Sequence, residues 1–120
     1  MTYRGALIGL ILAGAIVFPA LAAGATVSPT PAQREAIIKA FGDPKAASSC
    51  LIVRLASSNH NYADVRFRTV KSCQKWAFNG VNAVKRVKDN RWKVVFEGSA
   101  YRCPVAHIPR QVQRDLGICR

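Results

Sequence analysis

Apolar and polar residues alternate along residues 51–56 and again along residues 62–68. The apolar positions are Leu51, Val53 and Leu55 in the first stretch and Ala63, Val65 and Phe67 in the second. A period of two residues is typical of half-buried antiparallel strands, and the polar segment Ser57–Asn61 predicts a short connecting loop. Two further strands are predicted at Gly80–Val87 and Trp92–Ser99, with a turn at Lys88–Arg91 between them.

The predicted pairing of the last two strands contains one anomaly. A four-residue turn places Val81, Ala83 and Val87 opposite Gly98, Phe96 and Trp92 on one side of the sheet. Lys85 falls on the same side, opposite Val94, and is the one charged residue there. The other side receives Arg86, Lys93 and Glu97, together with Val84 and Val95.

Two helices flank the predicted strands. Thr30 is placed to cap a helix that starts at Pro31, with Gln33 in the capping-box position, and Gly42 ends it. Its apolar stripe consists of Ala36, Ile37, Ala40 and Phe41. A short second helix starts at Pro109, turns Val112 and Leu116 inward and ends at Gly117, whereas Thr69–Asn79 predicts an irregular segment. The expected fold is an α+β domain: an N-terminal helix on a four-stranded antiparallel meander, then a short helix.

The N-terminal residues have the pattern of a secretory signal. Arg4 precedes the uninterrupted apolar run Ala6–Phe18, and small residues at Ala20–Ala25 offer a peptidase cleavage site. The run is shorter than the roughly 20 residues that span a bilayer, which disfavours the alternative of an uncleaved anchor. We expect a signal at residues 1–23, a linker at 24–30 and a single domain at 31–120. The domain is then secreted or extracytoplasmic, in the cell envelope or outside the cell.

Four cysteines remain after the signal: Cys50, Cys73, Cys103 and Cys119. An even number in a short exported chain predicts two disulfide bonds, and the absence of a Cys-x-x-Cys pair disfavours a zinc site. Each cysteine adjoins the start or end of a predicted element. This placement favours Cys50–Cys73 with Cys103–Cys119, and Cys73–Cys103 with Cys50–Cys119 is the alternative.

Charge adds a candidate binding surface. The chain has 18 Lys and Arg residues against 6 Asp and Glu, a formal net charge of +12, and the signal contains only Arg4 of these. Such an excess attracts polyanions. If the N-terminal helix covers one sheet face, the other is open and positive, with Asp64 and Glu97 moderating it. Its cations are Arg54, Arg66, Arg68, Arg86 and Lys93. The alternative is a solvated polar face with incidental cations. A second basic group, Arg102, Arg110, Arg114 and Arg120, is interpreted as a feature of a tolerant surface.

No catalytic signature accompanies this charge. His60 and His107 could serve a secreted nuclease, but the predicted topology separates them. Asp64 and Glu97 resemble the paired carboxylates of a glycosidase, yet neighbouring arginines favour salt bridges instead. We predict no metal and no cofactor. The sequence therefore favours non-enzymatic binding of an anionic envelope component, a lipid surface or a polymer such as nucleic acid. The alternatives are a small hydrolase and a protein-interaction or inhibitor module.

The last part of the chain also supports a resemblance. The segments Arg91–Ser99, Cys103–Pro104 and Asp115–Cys119, with Pro109, resemble small exported bacterial proteins of no known function. One helix on a curved antiparallel sheet is similar in outline to cystatin-like and nuclear transport factor 2-like architectures. This resemblance implies the fold and export, and it implies no activity.

Overall fold

A computed structural model describes residues 25–41, 48–76 and 80–120, so the predicted signal lies outside the described residues. The elements are β1 (Thr26–Val27), α1 (Pro31–Phe41), β2 (Leu51–Ala56), β3 (Asn59–Phe67), β4 (Val81–Lys88), β5 (Arg91–Gly98) and α2 (Arg110–Asp115), with 3₁₀ turns at Ser48–Cys50 and Lys71–Trp76. The strands form one antiparallel sheet in the order β1 to β5. The α+β class is confirmed, whereas the described sheet has five strands rather than the predicted four.

The additional strand comes from the segment predicted to be a linker. In β1, Thr26 pairs with Ala56 and Val27 pairs with Leu55. Arg54 holds this strand in place, because its Nε donates to Thr26 Oγ1 (3.1 Å) and its Nη2 donates to the Thr26 carbonyl oxygen (3.2 Å). A two-residue strand is too short to show a hydrophobic period, so the alternation pattern could not have indicated it.

Helix α1 begins with the predicted capping box. The Thr30 N–H donates to Gln33 Oε1 (2.9 Å), and the Gln33 N–H donates to Thr30 Oγ1 (3.1 Å). The helix buries Ile37 completely against one sheet face. The apolar residues of that face are Leu51, Val53, Leu55, Ala63, Val65, Val84 and Trp92. We refer to it as the α1 face. The predicted terminator Gly42 lies outside the described residues.

The opposite sheet face, the α2 face, is covered by the C-terminal segment. Val112 and Leu116, the two residues predicted to point inward, are 1% and 2% exposed, which confirms their orientation. They pack with Ile108 and Ile118 against the sheet residues Ala56, Tyr62, Val81 and Ala83. The prediction of a fully open second face is therefore wrong, although Ile52 and Arg66 on this face stay exposed. The sheet is the middle of three layers, because a short helix with one apolar side still has to bury that side.

Two bulges alter the predicted β4–β5 pairing. Val81, Asn82 and Ala83 face Gly98, Glu97 and Phe96 as predicted, but Val84, Lys85 and Arg86 face Val94, Lys93 and Trp92. Val95 on β5 and Val87 on β4 have no cross-strand partner, and each displaces the register by one residue. The two displacements cancel, so the register is as predicted at both ends of the hairpin. Lys85 consequently faces Lys93 rather than Val94, so the charged residue on this side of the sheet lies opposite a second cation.

Both disulfides have the favoured pairing, Cys50–Cys73 and Cys103–Cys119. The first links the start of β2 to the 3₁₀ turn after β3, and the second links the segment after β5 to the residues after α2. None of the helices in the described part of the chain has the length and apolar character needed to cross a membrane.

Candidate anion-binding site

The five predicted anion-binding cations do not form one surface. Arg54 on β2 pairs with Asp64 on β3, and Arg66 on β3 pairs with Ile52 on β2. Both arginines therefore lie on the α2 face. Arg86 faces Trp92 and therefore lies on the α1 face, whereas Lys93 faces Lys85 on the α2 face. The predicted binding surface is thus divided between the two sides of the sheet. The β3–β4 register is the physical reason, because pairing Ala63 with Val84 turns the even-numbered residues of β4, including Arg86, towards the α1 face. The bulge at Val95 then leaves Lys93 on the α2 face.

Arg54 and Arg66 have structural partners. Besides its bonds to Thr26, Arg54 Nη1 donates to Ser28 Oγ (2.9 Å). Arg66 Nε forms an ion pair with Asp64 Oδ2 (2.7 Å), and its Nη2 donates to the carbonyl oxygen of Leu116 (2.6 Å). Arg66 thereby joins the sheet to the end of α2. Both guanidinium groups are committed to the fold rather than directed at a ligand.

Asp64 lies beneath this contact in an environment unusual for a carboxylate. It is 4% exposed, and its Oδ1 atom has no hydrogen-bond partner among the described residues. Burial raises the pKa of Asp64 above its ordinary value, although the hydrogen bond and charge of Arg66 and the charge of Arg54 oppose this. Asp64 therefore serves as the internal counterion of Arg66.

Arg68 and Arg86 are exposed and make polar contacts with neighbouring groups. Arg68, which follows β3, donates from Nη1 to the Ser49 carbonyl oxygen at 3.4 Å. Arg86 Nε donates to Asn61 Oδ1 (2.8 Å), and its Nη1 donates to the Asp89 carbonyl oxygen (2.9 Å). Arg86 is therefore oriented without being neutralised, since both of its acceptors are uncharged groups.

The largest concentration of cations lies at the end of the β4–β5 hairpin. Three neighbouring cross-strand pairs, Lys85–Lys93, Arg86–Trp92 and Lys88–Arg91, contain one uncharged residue, Trp92. The remaining residues form what we call the hairpin cluster: Lys85, Arg86, Lys88, Arg91 and Lys93. Lys85 is half-buried, with its Nζ 5.6 Å from the centre of the Tyr62 ring, and the others are exposed.

Little in the surroundings offsets the charge of the hairpin cluster. Asp89 in the turn is the single acidic residue between Lys85 and Lys93. Within the described residues, the one ion pair is Arg66–Asp64, so no carboxylate is paired with the cluster. Like charges directly opposite each other destabilise a sheet. The arrangement suits an extended anion, which can contact the exposed side chains of the hairpin end, while Asn90 in the turn donates to the Ala32 carbonyl oxygen of α1 (3.1 Å).

The sequence contained this signal, but assignment by faces obscured it. Residues 85–93 read KRVKDNRWK, and the segment was divided between two strands and a turn. At the end of a hairpin, side chains from both faces are close to solvent, so charge density along the chain indicates the site better than the face pattern does. Arg86 and Lys93 belong to both the predicted set and the observed cluster.

The two candidate catalytic carboxylates do not form a site. Asp64 faces Ala83 on the α2 face, whereas Glu97 faces Asn82, whose other neighbour Val65 lies on the α1 face. The two carboxylates therefore lie on opposite sides of the sheet, which rules out their acting as a glycosidase pair. His60 lies in β3 rather than in a turn and is exposed. Among residues 25–41, 48–76 and 80–120, no group of three or more His, Cys, Asp or Glu side chains could hold a metal ion.

No protein-family model, curated protein or solved structure matches the chain. The resemblance to small exported bacterial proteins stays a prediction.

Proposed function

We propose that this protein is an extracytoplasmic domain that binds an anionic polymer through the hairpin cluster, without catalysing a reaction. The observation that carries the proposal is the set of three cross-strand pairs at the hairpin end, which oppose cation to cation at Lys85–Lys93 and Lys88–Arg91. A fold has no need of such pairs, because each one opposes strand pairing. The negative charges of a bound polyanion would attract these cations and offset the repulsion between them.

The chemistry of the hairpin cluster favours a repeating phosphate or carboxylate backbone over a single small anion. Its cations are distributed along two strands and a turn, and only Arg91 among them lines any of the concavities found in the described part of the chain. Contacts of this kind position a chain by its charge and give little sequence selectivity. Extracytoplasmic placement is supported by the two disulfide bonds, which persist in oxidising compartments.

The test is salt-dependent binding by the disulfide-bonded protein. The probes are labelled single-stranded DNA and polyglycerol phosphate, each measured by fluorescence anisotropy over a range of salt concentrations. Lys88→Gln combined with Arg91→Gln should weaken binding on the order of tenfold at low salt. The slope of log K against log salt should flatten by about 1.4, since each lost phosphate contact contributes about 0.7 for a single strand.

The matched control removes the same charge at the other end of the sheet. Lys71 lies in the 3₁₀ turn between β3 and β4, and Arg102 follows β5, so both are remote from the hairpin end along the meander. Lys71→Gln with Arg102→Gln should leave the slope close to that of the unmodified protein. Equal effects of the two double variants would show that net charge, and not the hairpin cluster, determines binding.

A further inference from the structure

Three of the four C-terminal arginines line one cleft next to the second disulfide. Arg110, Arg114 and Arg120 surround it, and the rest of its wall is formed by Cys103, Pro104, Gln113 and Cys119. The cleft encloses about 170 Å³. Arg102, the fourth member of the predicted basic group, does not line it. The sequence suggests a scattered group on a tolerant surface, whereas the fold brings three arginine residues to the wall of one concavity.

The walls of this arginine cleft are held by buried polar contacts. Gln113 is 1% exposed, and its side-chain amide bonds the loop that precedes α2. Its Oε1 accepts from the Val105 N–H (3.0 Å), while its Nε2 donates to the carbonyl oxygens of Val105 (2.9 Å) and Ile108 (2.6 Å). The Cys103–Cys119 bond fixes the residue next to Arg120. The walls are therefore anchored, and the Gln113 amide is fully used in anchoring them.

The guanidinium groups remain available for a ligand. Arg114 Nη1 donates to Gln111 Oε1 at 3.3 Å, while Arg110 and Arg120 have no hydrogen-bond or ion-pair partner in the described part of the chain. No Asp or Glu residue lines the arginine cleft. The nearest acidic residue in the sequence, Asp115, instead accepts hydrogen bonds from Ser58 and Gln111. Arg110 and Arg114 are also i, i+4 neighbours on α2, where like charges repel.

We propose that the arginine cleft binds a compact oxyanion of the phosphate-monoester class. Three guanidinium groups around a small concavity match a tetrahedral dianion, since each planar fork can donate two hydrogen bonds to its oxygens. This site is separate from the hairpin cluster, which suits an extended chain. The same chemistry is presented by free phosphate and by the headgroup of phosphatidic acid.

The experiment is a titration of the ¹⁵N-labelled, disulfide-bonded protein with inorganic phosphate at constant ionic strength, followed by two-dimensional NMR. We expect saturable shifts of the amide and Nε–H signals of Arg110, Arg114 and Arg120. Arg120→Gln should weaken phosphate binding about tenfold or more, the effect of losing a charge-assisted hydrogen bond. Arg110→Gln provides a second test, and Arg102→Gln is the control that removes the same charge outside the cleft.

The outcomes separate this site from the hairpin cluster and identify the source of the phosphate. Lys88→Gln with Arg91→Gln should leave phosphate binding within about twofold, whatever it does to polymer binding. Arg120-dependent binding to phosphatidic acid vesicles as well as to phosphate would indicate a headgroup ligand, and binding to phosphate alone a soluble one. Absence of saturation with both probes, or an equal loss in Arg102→Gln and Arg120→Gln, would overturn the proposal.

Discussion

Arg66 connects two layers of the fold through a single side chain, since its guanidinium group bonds both Asp64 and the Leu116 carbonyl oxygen. Arg66→Ala should therefore lower the free energy of unfolding by about 2 kcal/mol, because it leaves the buried Asp64 carboxylate without its partner. Arg68→Ala removes the same side chain two residues later, where its contact is one 3.4 Å hydrogen bond to the Ser49 carbonyl oxygen, and should change stability by less than about 0.5 kcal/mol. Urea unfolding of both variants measures the difference.

A double variant distinguishes the loss of the ion pair from the loss of packing. Asp64→Asn should restore part of the stability of Arg66→Ala, because a neutral amide is less costly to bury without a partner than a carboxylate. If Asp64→Asn destabilises the Arg66→Ala background as much as it does the unmodified protein, the two side chains are not coupled and the proposed role of Arg66 is wrong.

The two buried aspartates give stability opposite dependences on pH. Burial raises the pKa of Asp64, so its contribution to stability is greatest below the unfolded value of 3.8 and is lost as pH rises through the folded pKa. Burial also acts to raise the pKa of Asp115, but hydrogen bonds from Ser58 and Gln111 outweigh it, so that pKa is lowered. The contribution of Asp115 is present above 3.8 and is lost as pH falls through its folded pKa.

Asn variants make this difference measurable. As pH falls from neutral towards 3.8, the unmodified protein should gain stability relative to Asp64→Asn, because protonation of Asp64 favours the folded state. Below 3.8 it should lose stability relative to Asp115→Asn. Denaturant unfolding at a series of pH values checks both signs. A difference from Asp64→Asn that does not vary with pH would contradict the raised pKa.

At the scale of elements, the sequence predicted what depends on a regular period. The capping box at Thr30 and Gln33, strand β2 and the inward pair Val112 and Leu116 all follow from local pattern, and the structure confirms them. The bulges at Val87 and Val95 could not be predicted in this way. A bulge breaks the period, and two compensating bulges leave both ends of the hairpin in their expected register.

The candidate site was only partly predictable from the sequence. The alternation pattern predicts Arg86 and Lys93 on one face, but they lie on opposite faces and come together only at the hairpin end. Arg54 and Arg66 were selected because the α2 face was expected to be open. What closes that face is a six-residue helix held by Gln113, whose side-chain bonds to the preceding loop have no signature in the sequence.

At the scale of the whole molecule, the distribution of charge explains more than its total. The chain has a formal charge of +12, yet its described part contains a single ion pair, Arg66–Asp64. Both residues are on β3, and Arg66 also donates to the Leu116 carbonyl oxygen at the end of α2. Among the described residues, the cations of the hairpin cluster and of the arginine cleft form no ion pair with a carboxylate. The two groups differ in geometry, since one lies at a hairpin end and the other lines a concave cleft. The domain is thus held together by its two apolar layers and two disulfides, against a repulsive surface.

Repulsion between the surface cations predicts that added sodium chloride stabilises the folded protein. Raising the ionic strength from about 0.01 M to 0.15 M shortens the Debye length from about 30 Å to 8 Å, which screens repulsion between exposed cations. The free energy of unfolding of the unmodified protein should rise by on the order of 0.5 kcal/mol. The double variant Lys88→Gln with Arg91→Gln should be more stable than the unmodified protein at low salt, and added salt should stabilise it less. Lys71→Gln with Arg102→Gln, which retains the opposed pairs, should gain more than the hairpin variant. Stability that falls with added salt would mean that attraction at unrecognised ion pairs outweighs the repulsion at the hairpin end.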